Sequence, residues 1–70
     1  MKLEIYQLGK LPPLTVCECD RWELDYHNPA TLELYKNIIN EMGEKDEKVI
    51  AVFFVNNIAG FKEVGEDNEI

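Results

Sequence analysis

Asn28-Pro29-Ala30-Thr31-Leu32-Glu33-Leu34-Tyr35-Lys36-Asn37-Ile38-Ile39-Asn40-Glu41-Met42-Gly43 is the stretch on which the fold turns. Asn28 suits a helix N-cap. Pro29 suits the first helical position, where a missing N–H costs nothing. Apolar side chains follow at Leu32, Tyr35, Ile38, Ile39 and Met42, the spacing of one helix face. Glu33, Lys36, Asn37, Asn40 and Glu41 would line the opposite, solvated face. Gly43 stands where a left-handed C-terminal cap belongs. The spacing predicts one amphipathic helix between Asn28 and Gly43.

The flanking segments read as strands. Residues 2–8 (KLEIYQL) alternate in character, and Gly9-Lys10-Leu11-Pro12-Pro13 breaks the ladder. Residues 14–26 form a second extended segment, with Leu14, Val16, Trp22, Leu24 and Tyr26 on even positions and Thr15, Cys17 and Cys19 on odd ones. The apolar side changes around 18–21, which predicts a bulge or a strand ending near Asp20. EKDEK (44–48) reads as a charged loop and VIAVFFV (49–55) as the most buried strand. Asn56-Asn57 suits a two-residue hairpin turn, and IAGFKEV (58–64) is the return strand. The expected fold class is α+β: a single antiparallel sheet in β-β-α-β-β order with one helix packed on one face. One domain spans 1–64, followed by an acidic, frayed tail at 65–70. One helix covers one face, yet 49–55 offers apolar side chains to both. Either the sheet curls or the second face meets a partner, such as a second copy, with Trp22, Phe53 and Phe54 as the apolar contacts.

Composition narrows the function. The 70 residues hold 14 Asp and Glu against 7 Lys and Arg, a formal charge of −7. Such a chain is repelled by phosphate backbones and anionic lipid, which argues against direct nucleic-acid or membrane binding. No run approaches the ~20 apolar residues of a spanning helix. The start MKLEIYQLGK lacks an apolar signal region, so a soluble, cytoplasmic protein is expected. There is no serine, and the four glycines are scattered, so neither the commonest hydroxyl nucleophile nor a phosphate-cradling loop is available. The chain reads as a non-enzyme without a cofactor.

The charge is concentrated. Residues 18–25 carry −3, residues 41–48 carry −2 and residues 63–70 carry −4. On a strand, carboxylates at i and i+2 project from one face roughly 6.6 Å apart, and a nucleic-acid strand repeats its charge on a similar scale. Glu18/Asp20 and Glu23/Asp25 have this spacing. In size, in the acidic runs ECDRWELD and GEDNE, and in its excess of lysine and asparagine, the chain resembles small acidic phage host-takeover proteins of the DNA-mimic type. The nearest of these are the phage inhibitors of the nucleoid protein HU. The resemblance implies a basic DNA-binding host protein as partner, inhibited by occupation of its DNA site. The acidic residues expected to imitate phosphates are Glu18, Asp20, Glu23 and Asp25, then Glu41, Glu44, Asp46 and Glu47, then Glu63, Glu66 and Asp67.

Other candidates carry blander readings. Cys17 and Cys19 would share a strand face and read as reduced, partly buried thiols; a metal would need two more ligands, from His27 and Asp20 or Asp25, and none is expected. His27 reads as an exposed loop residue. A helix followed by an apolar hairpin ending Ala59-Gly60-Phe61 is similar to the first half of an acetyltransferase fold, but the pyrophosphate-binding Gly-rich segment is absent.

Overall fold

Leu32 and Leu34 are both completely buried. Two residues apart, they would lie about 200° around a helix but share one face of a strand. The computed structural model describes residues 1–64 and contains six strands: β1 (Lys2–Gln7), β2 (Leu14–Glu18), β3 (Arg21–Asp25), β4 (Thr31–Ile39), β5 (Lys45–Phe54) and β6 (Ile58–Val64). A 3-10 turn at Val55–Asn57 joins the last two. The α+β expectation is therefore corrected: no α-helix occurs among the described residues, and the expected helix is β4 and the turn after it.

The physical reason lies in the residue that the helical spacing leaves unused. Leu34 breaks the period of 3.6 and completes a period of two with Leu32, while Thr31, Glu33 and Tyr35 alternate to the other face. Thr31, Tyr35, Ile38 and Ile39 also favour strand. A helix of this length is marginal by itself, so tertiary pairing decides. Gly43 does take a positive φ of +78°, but in the tip of the β4–β5 hairpin. There Asn40 Oδ1 accepts the backbone N–H groups of Met42 and Glu44 at 2.9 and 3.0 Å.

The strands form two three-stranded antiparallel sheets, ordered β2-β1-β6 and β3-β4-β5. The chain crosses between them twice. Cys19 N–H bonds Met1 O at 2.9 Å, extending the first sheet, and Asp20 N–H bonds Tyr35 O at 2.8 Å in the second. The expected change of side near Asp20 is this crossing. The second runs through Val55–Asn57, where Leu8 N–H meets Asn57 O at 2.8 Å. The expected hairpin between 49–55 and 58–64 is thus corrected, because β6 pairs with β1 and not with β5.

Leu3 and Ile5 of β1 meet Leu32 and Leu34 of β4 between the layers, with Cys19 buried beside them. Cys17, Trp22, Leu24, Ala51, Phe53, Ile58 and Phe61 pack around this core. The molecule's short dimension is 19 Å, the thickness of two sheets. β5 is not the most buried strand: Val49, Ile50, Val52 and Phe54 are exposed. β4 and β5 run on past β3, whose first residue, Arg21, pairs with Tyr35. The hairpin therefore projects as an arm, with Ile39 and Met42 exposed near its tip.

Candidate functional site

Alternation along β3 and β4 determines what the outer face of their sheet carries. Trp22, Leu24, Leu32 and Leu34 turn inward, so Arg21, Glu23 and Asp25 of β3 lie outward beside Tyr35, Glu33 and Thr31 of β4. Glu23 stands directly opposite Glu33. Like charges so placed disfavour the sheet, and each finds a partner on the same face, Glu23 with Arg21 and Glu33 with the hydroxyls of Thr31 and Tyr35. Glu47 of β5 joins the same face across from Asn37. Four carboxylates thus share this face with one guanidinium.

Arg21 holds the cluster together. Its guanidinium lies 4.1 Å from the centroid of the Tyr35 ring. Nε and Nη2 donate to the two Glu47 oxygens at 2.8 and 2.7 Å, and Nη1 reaches Glu23 at 3.4 Å. The fork raises the Arg21 pKa and holds the Glu47 carboxyl below its ordinary value, chiefly through these hydrogen bonds. Glu33 accepts from the Tyr35 hydroxyl at 2.6 Å and from Thr31 Oγ1 at 3.2 Å, and the first bond raises the Tyr35 pKa. Glu33 is the residue that sequence reasoning missed. A helix would have placed it on an unrelated face, and only the alternation Leu32-Glu33-Leu34 signals its place in the row.

Asp25 ends the row. It accepts the His27 backbone N–H at 3.0 Å and contacts the His27 ring through Nδ1. The backbone bond, then the ring, lower the Asp25 pKa, and Asp25 in turn raises that of His27. A shallow depression lined by Glu23, Asp25, His27 and Glu33 results. In an NMR titration the His27 midpoint is expected above the ordinary 6.5 and should return toward it in Asp25→Asn. Because the folded pKa is raised, the contact's contribution is complete below 6.5 and fades as pH rises through the folded midpoint. A parent midpoint at or below 6.5 would remove Asp25 as its cause.

The remaining acidic candidates scatter. Glu18 lies on the other sheet, 3.7 Å from the Met1 ammonium. Asp20 spends its Oδ2 on the Asn37 N–H at 2.7 Å, anchoring the sheet crossing. Glu41 and Glu44 sit at the hairpin tip, and Asp46 faces Ile38 across the arm. Glu63 accepts the Trp22 indole N–H at 2.8 Å. Glu66 and Asp67 lie outside the described residues. Among the described residues the acidic candidates therefore do not form one surface; only Glu23, Asp25 and Glu47 of the expected set come together.

Of the apolar candidates, Trp22 and Phe53 pack against the core while Phe54 is exposed. Cys17 and Cys19 also pack into the core, and burial raises both thiol pKa values. His27 is a full strand away from Cys19, and no group of three potential metal-ligating side chains occurs among the described residues. The described residues also contain no helix long and apolar enough to cross a membrane. The acetyltransferase likeness loses its basis with the helix and hairpin that carried it. No protein-family model matches the chain, and neither does any curated protein or solved structure.

Proposed function

We propose that this protein is a non-catalytic inhibitor that takes a basic, DNA-binding protein onto the outer face of the β3-β4-β5 sheet and excludes DNA from it. One observation carries the reading: Glu23 and Glu33 oppose each other on neighbouring strands, with Asp25 and Glu47 on the same face. Neighbouring strands lie about 4.8 Å apart and alternate residues about 6.6 Å apart. Glu23, Glu33 and Asp25 therefore stand at a spacing similar to that of phosphates, with Glu47 about 13 Å farther along the sheet from Glu33. Lys and Arg side chains that release counterions from DNA could neutralise this array in the same way. A cation entering between Glu23 and Glu33 would add a favourable contact with both carboxylates. The likeness to phage proteins implies a bacterial partner.

The test is capture from bacterial lysate at low and high salt, with and without competitor DNA. A basic DNA-binding protein displaced by both salt and DNA is the expected catch. Reversal of the array in Glu23→Lys/Glu33→Lys should weaken that capture at least about tenfold, as loss of a few close charge contacts does. The same charge change at the arm tip, Glu41→Lys/Glu44→Lys, should have little effect. Equal losses would mean diffuse attraction, and capture that resists salt and DNA would overturn mimicry.

A further inference from the structure

The four edges of the two sheets are not protected alike. β2 is short and preceded by Pro12 and Pro13, β3 is short and carries Arg21, Glu23 and Asp25, and β6 contains Gly60, Lys62 and Glu63. Short length, proline and charge are the usual ways of keeping an edge from pairing with another chain. β5 has ten residues and no neighbour on its outer side among the described residues. Its first half, Lys45-Asp46-Glu47-Lys48, is charged, but Ile50-Ala51-Val52-Phe53-Phe54 has no charge at all. A β-bulge leaves Ile50 without a partner on β4, between Val49 opposite Tyr35 and Ala51 opposite Leu34, and marks where the uncharged half begins. We propose that β5 is a self-association edge: two copies pair Ile50–Phe54 antiparallel about a twofold axis at Val52, joining their sheets into one of six strands.

The occupant is a second copy because the segment complements itself in one register. A twofold perpendicular to the sheet keeps inner faces with inner faces, so the axis must pass beside a residue. Centred on Val52, it sets Ala51 opposite Phe53 of the second copy, small against large, and Ile50 opposite Phe54. Lys48 and Glu47 then run past Asn56 and Asn57 of the second copy, where they remain solvated. Centring on Ala51 would set Lys48 against Phe54. Centring on Ile50 would set Asp46 against Phe54 and Glu47 against Phe53, and centring on Glu47 would oppose two glutamates. The charged half thus excludes these registers, as charges do in other self-pairing elements, and centring on Phe53 would set Ala51 and Ile50 against Val55 and Asn56 of the 3-10 turn, leaving only Val52 to Phe54 paired within the strand. Val52 and Phe54, at 52% and 50% exposure, are the apolar surface that pairing covers.

This inference stands on β5 and does not depend on the function proposed above. It does place the two acidic faces on the same side of one sheet, with the β4 rows about 14 Å apart, three strand spacings. Five paired residues make a small contact, so association is expected in the range of about 10 µM to 1 mM. Sedimentation equilibrium across that range should show the mass rising from monomer to dimer. Val52→Lys opposes two like charges at the axis and should raise the dissociation constant at least about a hundredfold. Val52→Glu should do the same, and an equimolar mixture of V52K and V52E should restore the dimer by pairing opposite charges. Glu18→Lys, the control on the other sheet, should leave it intact. A parent chain that stays monomeric, a V52K variant that still dimerises, or a mixture that fails to recover the dimer would each overturn the proposal.

Discussion

Leu34→Ala is expected to lose about 2–5 kcal/mol of folding stability, the cost of a cavity at a fully buried leucine. Ile39→Ala should fall within about 0.5 kcal/mol of the parent. The contrast follows from burial: Leu34 is 0% exposed and Ile39 66%. A chain of this size has roughly 4–10 kcal/mol in hand. L34A would therefore use much of it and leave a substantial unfolded fraction on mild warming. Urea denaturation followed by far-UV circular dichroism measures both variants. The helical reading of 28–43 makes the opposite prediction, since there Ile39 lies on the packed face and Leu34 outside it. Equal losses, or a larger loss at Ile39, would refute β4 as described.

That pair of residues also shows what could be read from the chain alone. β1 was legible because Gly9 and two prolines end it, and the break before β3 because the apolar side changes at Asp20. Gly43 was legible as a position of positive φ, although a helix cap and a hairpin tip ask for the same backbone. The segment 31–39 was not legible, because Leu32, Tyr35, Ile38 and Ile39 satisfy a helical period and Leu32 with Leu34 a strand period. The winner is chosen by β3 and β5, which are far away in sequence. Misplacing β4 hid the site as well. Glu23 and Asp25 could be placed on one face by their spacing, but Glu33 enters the row only once β4 lies beside β3. The sheet to which β6 belongs was likewise beyond local signals. Asn56-Asn57 suits a tight hairpin, yet the 3-10 turn there delivers the chain to β1.

Trp22→Ala should be the second most damaging substitution, at about 2–4 kcal/mol for a half-buried ring. Trp22 is the side chain that ties the two sheets at their edge. Its ring meets Phe61 of β6 edge-on, with centroids 4.9 Å apart and planes at 79°. Its indole N–H donates to Glu63 of the same strand at 2.8 Å. Truncation therefore removes an aromatic pair, part of the core cover and the hydrogen bond together. Trp22→Phe keeps most of the ring and should lose only about 1 kcal/mol, mainly for the missing donor. Glu63→Gln keeps an acceptor and should change little. A Trp22 acting as a partner anchor would behave differently, because W22A would then leave urea stability near that of the parent and abolish capture of the basic protein. Stability lost in the order W22A, then W22F, then E63Q makes Trp22 the pin between the layers. The register of β3 on β4 keeps Glu23 and Asp25 in line with Glu33, and Trp22 secures the inner side of that same strand.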